Sequence, residues 1–339
     1  MVSPGPPRAD RVQALDGLRG LACLAVLGFH YLNRGPGLFP EIGPIRSWAF
    51  WGLYGVDLFF VISGFVIFMT IQHSSLRRFV ISRAIRLYPL YWVCVVLTFA
   101  VVTMAGLPGR EVSVGEAVVN LTMLQEFFRV PHVDGAYWTL TVEVSFYFCA
   151  ALLLAVGAVS GRRVDFALAA WLTIALGVQL YNAVTNSHAA DILMRMFGWA
   201  PLFIIGIVLY GVWAGDRRAF RLVLIPISVA ILGLRDPRDS VAAAVIVALV
   251  CFALWGPRVG LESRPLRWLG TISFALYLIH QNIGYVALRA LRDLPSLVSV
   301  AIVTLGMLAA ATLLTYAFDI PVRRALRGRL LPTSRIRGT

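Results

Sequence analysis

The chain has 339 residues, of which 59% are hydrophobic and only 14% are charged. A soluble domain normally carries about a quarter charged residues, so this composition excludes an ordinary soluble protein. Apolar stretches of roughly twenty residues recur along the chain, which is typical of a helical protein that crosses a membrane several times. The net charge of +13 would indicate nucleic-acid binding in a soluble protein, but membrane topology explains it better, and no nucleic-acid partner is predicted.

Ten apolar segments are predicted to cross the membrane as helices around an intramembrane polar cavity. They run over residues 15–31, 48–70, 87–106, 138–160, 165–183, 194–213, 221–234, 240–256, 268–290 and 296–318. A polar arm over 1–14 is expected to be disordered, a transmembrane domain is expected over 15–321, and a basic tail follows over 322–339. The predicted fold class is therefore an all-α integral membrane protein.

The distribution of arginines along the chain predicts how this helical bundle is oriented in the membrane. Alternate connections, counted from the N-terminal arm, carry most of them, and six more follow the last span. Because positively charged loops stay in the cytoplasm, both termini are predicted to be cytoplasmic. The chain contains no lysine, a usage typical of GC-rich bacterial genomes, so we expect it in the bacterial inner membrane. This absence also excludes a lysine Schiff base and a Walker A loop.

The first span, "LDGLRGLACLAVLGFHY", carries two basic side chains, Arg19 and His30. A separation of eleven residues returns to almost the same helical face after about three turns. At 1.5 Å per residue the two side chains are roughly 16 Å apart along the axis. They are therefore predicted to occupy opposite ends of the span, where one small molecule does not touch both but a long extended one does.

Other ionisable residues divide between the two halves of the predicted membrane. Asp57 in the second span, Glu143 in the fourth and His280 in the ninth are expected to share the outer half with His30, whereas arginines collect at the inner half. Charged groups inside a membrane are costly and usually face a cavity, so each is a candidate site residue. The histidines lack the close spacing of metal ligands, and no metal is predicted.

Structural roles remain open for several of these residues. A lone histidine near a helix end is commonly an interfacial hydrogen-bonding group. Asp57 is equally suited to pairing with a buried arginine or to capping a broken helix. Arg83 and Arg86 are also explained as anchors on the cytoplasmic side. Glu143 has fewer structural uses, because its span is rich in aromatic residues.

The polar groups suit acyl transfer. A histidine near a carboxylate can act as a general base on a hydroxyl, with the carboxylate fixing the imidazole tautomer. Arginine side chains at the inner end are suited to phosphate groups, which they bind with two parallel hydrogen bonds. Acyl-coenzyme A has phosphates at one end and a reactive thioester at the other, and so matches the length of this arrangement.

Several motifs together resemble the membrane-bound acyltransferase-3 family, which includes O-antigen and exopolysaccharide acetylases and macrolide acyltransferases. The motifs occur in the family's order from about residue 15 to residue 321: "LDGLRGLACLAVLGFHY", "GVDLFFVISGF", "RFVISRAIRLYPLYW", "YWTLTVEVSFYF" and "GTISFALYLIH". The resemblance implies that His30 is the essential histidine, with Arg19 as its partner in the motif. It also implies that Arg83 and Arg86 hold the phosphates of coenzyme A and that Glu143 is a required carboxylate.

The prediction is a membrane-embedded O-acyltransferase that uses acyl-CoA, most simply acetyl-CoA, as co-substrate. His30 is the predicted general base, with Asp57, Glu143 and Arg19 as further catalytic residues. The acceptor is expected to be a sugar hydroxyl of an envelope glycan, a lipid-linked precursor or a glycosylated metabolite. Residues assigned to substrate binding are Trp138, Tyr137, Ser63 and His280.

A proton-coupled transporter of a small polar metabolite is the alternative from another class. Intramembrane acids and histidines would serve such a carrier equally well. The sequence shows no internal repeat of the kind that many transporters have, which counts against this alternative.

Overall fold

The computed structural model describes residues 9–185, 192–216, 218–257 and 259–331. All regular structure in these ranges is helical, in agreement with the predicted fold class. The α-helices are α1 (Ala9–Phe29), α2 (Gly35–Leu38), α3 (Gly55–Ile71), α4 (Leu76–Ala105), α5 (Val114–Asn120), α6 (Trp138–Ala155), α7 (Gly161–Thr185), α8 (Ala200–Trp213), α9 (Ala219–Gly233), α10 (Pro237–Trp255), α11 (Arg264–Ile279), α12 (Asn282–Ala290), α13 (Ser296–Leu313) and α14 (Ile320–Leu330).

Eight helical stretches in the described ranges are long and apolar enough to cross a membrane. They are Gln13–Leu38, Ser47–Ile71, Leu76–Ala105, Gly135–Ala155, Gly161–Thr185, Met194–Trp213, Pro237–Trp255 and Ser296–Leu330. The remaining two predicted spans are also helical, but one is the shorter apolar helix Phe220–Gly233. The other, predicted over 268–290, is divided into α11 and α12.

The two ends of the chain are only partly described. Helix α1 already begins at Ala9, inside the arm that the sequence predicts to be disordered, and residues 1–8 lie outside the described ranges. Helix α14 ends at Leu330, within the predicted basic tail, and residues 332–339 lie outside the described ranges.

Small residues allow the central helices to pack closely. Helix α1 lies along α11, where a β-carbon on Gly270 would come within 2.1 Å of the Asp16 carbonyl oxygen. Helix α3 lies along α8, where a β-carbon on Gly206 would come within 2.0 Å of the Val61 carbonyl oxygen. Such contacts are characteristic of membrane helices, whose association depends on close packing because lipid is as apolar as the side chains. These two pairs form the frame of the site.

The end of the first span departs from α-helical geometry. Residues His30–Arg34 form a single π-helical turn, in which the Gly35 N–H donates to the His30 carbonyl oxygen. Such turns occur frequently at functional sites, because they turn individual side chains away from the regular helical face. The turn places His30 and Arg34 at the same end of the first span.

Candidate active site

Two adjoining cavities lie between the helices. The first, of about 50 Å³, is lined by Arg19, Val56, Phe59, Phe60, Ser63, Arg86, Leu87, Thr139, Leu140, Glu143, Ser273, Phe274 and Tyr277. The second, of about 270 Å³, is lined by Val26, Phe29, His30, Arg34, Leu53, Val56, Arg110, Gly135, Ala136, Trp138, Tyr277 and Gln281. We call them the arginine cavity and the histidine cavity. They adjoin at Val56 and Tyr277, whose side chains line both.

The arginine cavity brings Arg19, Arg86 and Glu143 together. Glu143 accepts a hydrogen bond from the Tyr147 hydroxyl, one helical turn farther along α6. Arg19 forms an ion pair of 3.8 Å with Asp16. A carboxylate among arginines lowers the cost of burying their charges and leaves donors directed into the cavity. This cavity is therefore suited to an anionic ligand.

Arg83 lies beside this cavity, outside its lining. Its guanidinium carbon is 5.9 Å from the centre of the Tyr147 ring and 5.9 Å from the centre of the Phe79 ring. Tyr147 therefore contacts Glu143 through its hydroxyl and Arg83 through its ring. Of the two arginines predicted to hold phosphates, the structure places Arg86 in the cavity and Arg83 behind it.

The structure places Glu143 beside arginines rather than beside the histidines. Sequence reasoning grouped it with the histidines in the outer half, but it lines the arginine cavity instead. The reason is that α6 begins inside the protein. Asp134 and Tyr137 precede the helix and are fully buried, and Trp138 already lines the histidine cavity. Counting turns from the start of the predicted span therefore does not determine which cavity Glu143 lines.

The histidine cavity contains His30, whose ring has a tyrosine partner. His30 Nδ1 lies 2.8 Å from the Tyr285 hydroxyl oxygen. The His280 ring lies edge-on to the His30 ring, with 5.0 Å between their centres. Sequence reasoning expected Glu143 or Asp57 to support His30, and among the described residues neither carboxylate forms a hydrogen bond with it.

His280 lies where the ninth predicted span breaks. Its Nδ1–H donates to the Tyr277 carbonyl oxygen at 2.7 Å, which leaves Nε2 as an unprotonated acceptor. The Tyr31 hydroxyl donates to the His280 carbonyl oxygen at 2.7 Å, and the Tyr137 hydroxyl donates to that of Leu278 at 3.0 Å. A broken helix is tolerated within a membrane when neighbouring side chains satisfy its free backbone groups in this way.

Asp134 pairs with a free backbone group on the α12 side of the helix break. One carboxylate oxygen accepts from the Ala136 N–H at 2.9 Å, and the other accepts from the Asn282 N–H at 2.8 Å. It therefore holds the start of α12 against the start of α6. The sequence "HQN" at residues 280–282 was the available signal for this break, since three consecutive polar residues are unusual in the middle of a span.

The remaining predicted residues divide between the cavities and the protein interior. Ser63 lines the arginine cavity and Trp138 the histidine cavity, whereas the Tyr137 hydroxyl is occupied at the helix break. Asp57 is buried but lines neither cavity, and the charged groups that act on it are Arg235 and Asp239. The structure thus does not bring Asp57 to His30.

Four residues at or beside these cavities were not predicted from the sequence. Tyr147 and Tyr285, which contact Glu143 and His30, give little signal, because a tyrosine in an apolar span resembles any other aromatic residue. Arg34 and Arg110 lie in connections between predicted spans, where an arginine is normally interpreted as a topological signal. Their position in the histidine cavity depends on the π-helical turn and on the loop after α4.

A family model described as an acyltransferase domain matches residues 12–316, nearly the whole chain. The chain belongs to this family. It is therefore an acyltransferase, and the eight long apolar helices in its described ranges indicate a multi-pass membrane protein. The resemblance read from the sequence motifs is confirmed, and the transporter alternative has no support among the matched relatives named below.

Three curated relatives match most of the chain. Acyltransferase MdmB of Streptomyces mycarofaciens is 29% identical over 311 residues, which cover 81% of this chain and 79% of the relative. Putative peptidoglycan O-acetyltransferase YrhL of Bacillus subtilis is 25% identical and is matched over 79% of this chain and 48% of its own length. Peptidoglycan O-acetyltransferase OatA of Listeria monocytogenes is 25% identical, over 80% of this chain and 49% of its own length.

The chain thus spans about half the length of the two peptidoglycan O-acetyltransferases that it matches. Comparison with solved structures gives no significant match.

Proposed function

We propose that this chain transfers an acyl group, most simply acetyl, from acyl-CoA to a sugar hydroxyl of an envelope glycan, a lipid-linked precursor or a glycosylated metabolite. The observation that carries the proposal is the pair of adjoining cavities, one with arginines and one with His30. Arg19 and His30 lie on the same helix, roughly 16 Å apart along its axis. An extended donor bound by the arginines would therefore present its reactive end near His30.

Arg86 is the principal donor-binding residue in this proposal, because its side chain lines the cavity. A guanidinium forms two parallel hydrogen bonds with phosphate oxygens. Arg83, one turn away on α4, is held against the Tyr147 ring and adds positive charge behind the site. The N-terminal end of α4 also carries Arg77 and Arg78 beside the end of α14. This clustering supports a cytoplasmic position for the donor end.

His30 acts as the general base on the acceptor. With Nδ1 hydrogen-bonded to Tyr285, Nε2 is the ring nitrogen available to the acceptor hydroxyl. The hydroxyl proton passes to Nε2 as its oxygen attacks the thioester carbonyl carbon. The carbon–sulfur bond then breaks, and the imidazolium returns the proton to the leaving coenzyme A thiolate. This cycle requires the tautomer in which Nδ1–H donates to the tyrosine oxygen.

Glu143 organises the donor end. It accepts from the Tyr147 hydroxyl and offsets the positive charge of Arg19 and Arg86 in the same cavity. Without this carboxylate the two guanidinium groups would repel each other, and their positions would be less defined. Glu143 therefore positions donor-binding groups in this proposal, and His30 carries the proton transfer.

The test compares His30→Ala with His73→Ala in purified protein in detergent. His73 is an exposed histidine between α3 and α4 and lines neither cavity. Wild type and His73→Ala should release free coenzyme A from acetyl-CoA and form an acetylated glycoside. His30→Ala should lose the reaction by a factor of about 10² to 10⁴. Normal transfer by His30→Ala, in a protein that is still folded, would refute the mechanism.

A further inference from the structure

The histidine cavity has an uneven charge distribution. Two arginines, Arg34 and Arg110, line it together with His30, and its lining contains no carboxylate. Within the described ranges neither arginine forms an ion pair, in contrast to Arg195, Arg221, Arg235, Arg289 and Arg323. The cavity wall therefore carries two guanidinium groups that have no ion-pair partner in the described ranges.

The two carboxylates near these arginines, Glu111 and Asp134, accept hydrogen bonds from backbone N–H groups. Glu111, next to Arg110 in the chain, accepts from the backbone N–H groups of Leu107 at 3.0 Å and Arg110 at 3.2 Å. Backbone donors, its own N–H foremost, lower the pKa of Glu111 and keep it ionised in this turn. Asp134 uses both oxygens for backbone N–H groups at the helix break. Within the described ranges neither carboxylate forms an ion pair with Arg34 or Arg110, so the two guanidinium groups keep their hydrogen-bond donors available to a ligand.

The rest of the cavity wall is apolar or aromatic. Phe29, Leu53, Val56 and Trp138 contribute to it, and the outer face of Trp138 is covered by Arg195, whose guanidinium carbon is 4.5 Å from the ring centre. The volume of about 270 Å³ is close to the lower end of small-molecule sites, roughly 300 Å³. The cavity thus suits one sugar ring with a single charged substituent.

We propose that Arg34 and Arg110 form an anion subsite, and that the acceptor sugar carries a carboxylate or phosphate beside the hydroxyl that is acylated. This inference rests on the proposed function and names the acceptor class of the same site. Arginine binds either anion with two parallel hydrogen bonds. The same charges disfavour an acceptor whose only charged group is an amine, because like charges in a partly enclosed cavity repel.

The first test measures binding without an acyl donor, so that no turnover occurs. Matched neutral and acidic methyl glycosides of the glucose, galactose and mannose series are compared with the corresponding hexose 1-phosphates. At least one acidic sugar should bind roughly tenfold or more tightly than its neutral counterpart, since a hydrogen bond to a charged group is worth roughly ten- to a hundredfold in affinity. Arg34→Gln and Arg110→Gln should each remove most of this preference.

The matched control is Arg129→Gln. Arg129 is an exposed arginine in the same connection as Arg110, and it lines neither cavity. It should keep the preference for acidic sugars. The KM for acetyl-CoA should be unchanged in all three variants, which distinguishes an acceptor subsite from a second site for coenzyme A phosphates. A raised KM for acetyl-CoA in Arg34→Gln would overturn the proposal.

A second arm identifies the source of the anion. A water-soluble hexose 1-phosphate is compared with the same hexosyl phosphate attached to a long isoprenoid chain. Tighter binding of the isoprenoid form, dependent on Arg34 and Arg110, assigns the subsite to a lipid-linked sugar. Equal binding assigns it to a soluble sugar phosphate or sugar acid.

The result also separates this inference from the proposed function. Acetyl transfer with no preference for acidic acceptors in any matched pair would refute the anion subsite and leave acyl transfer intact. Binding of acidic sugars that depends on both arginines, with no acetyl transfer to any of them, would support the subsite and refute the proposed reaction.

Discussion

The hydrogen bond between His30 and Tyr285 provides a direct test of the proposed base. Tyr285→Phe removes only the hydroxyl that lies 2.8 Å from His30 Nδ1. The aromatic ring remains, and with it the edge-on contacts to His30 and Phe39 at 6.1 and 5.5 Å between ring centres. The variant therefore changes the orientation and tautomer of the imidazole while preserving the packing around it.

The expected loss follows from the energy of one buried hydrogen bond. A hydrogen bond between neutral groups contributes about 0.5–1.5 kcal/mol, and each 1.36 kcal/mol corresponds to a tenfold change in rate. We therefore expect kcat to fall about 2- to 13-fold in Tyr285→Phe, well short of the loss expected for His30→Ala. Release of coenzyme A from acetyl-CoA in the presence of an acceptor gives kcat, and a thermal unfolding curve establishes that the variant is folded.

The matched control is Tyr91→Phe. Tyr91 is also fully buried, and its hydroxyl donates to the Asn120 carbonyl oxygen at 2.6 Å, but it contacts neither cavity. This variant should lose some stability and keep its kcat. An unchanged kcat in folded Tyr285→Phe would show that Tyr285 does not orient the base. A loss as large as that of His30→Ala would show that the tyrosine hydroxyl takes part directly in the reaction.

Two further predictions concern the donor cavity and the helix break. Arg86→Gln should raise the KM for acetyl-CoA roughly tenfold or more, because a charged hydrogen-bond donor to phosphate is lost. The control is Arg162→Gln, at an exposed arginine on the same predicted side of the membrane, and it should leave this KM unchanged. Equal increases in KM for both variants would mean that only the overall positive charge of this side matters. Asp134→Asn should lower the free energy of unfolding by about 1–3 kcal/mol. The asparagine has one acceptor oxygen in place of two, so the buried backbone N–H of Ala136 or of Asn282 loses its hydrogen-bond partner. Thermal unfolding in detergent measures this loss, and an unchanged midpoint would show that Asp134 does not hold the break.

Composition and periodicity were sufficient to predict the helical segments, because a membrane core requires long apolar stretches. The spacing of Arg19 and His30 was equally informative: eleven residues on one helix place them in different cavities. Their catalytic roles remain predictions. The sequence could not show which side chains surround the start of α6, so it did not predict that Glu143 lines the arginine cavity.

Partners from distant parts of the chain were also beyond sequence reasoning. His30 was expected to lie near a carboxylate, and its hydrogen-bond partner is a tyrosine 255 residues later. The charged cluster of Tyr54, Arg235 and Asp239 near Asp57 likewise joins segments about 185 residues apart. Periodicity describes one helix at a time, whereas these contacts depend on which helices become neighbours.

The neighbours of the first span matter for biosynthesis. His30 leaves the ribosome 255 residues before Tyr285, so its contacts with His280 and Tyr285 wait until that part of the chain has been made. Until then the first span, with its arginine and histidine, lies in the bilayer without these neighbours. The broken segment is also poorly suited to insert alone, since α11 and α12 are each shorter than a full membrane crossing. We therefore expect α11 and α12 to insert into the membrane by packing against α1, and the site to be completed in the same step.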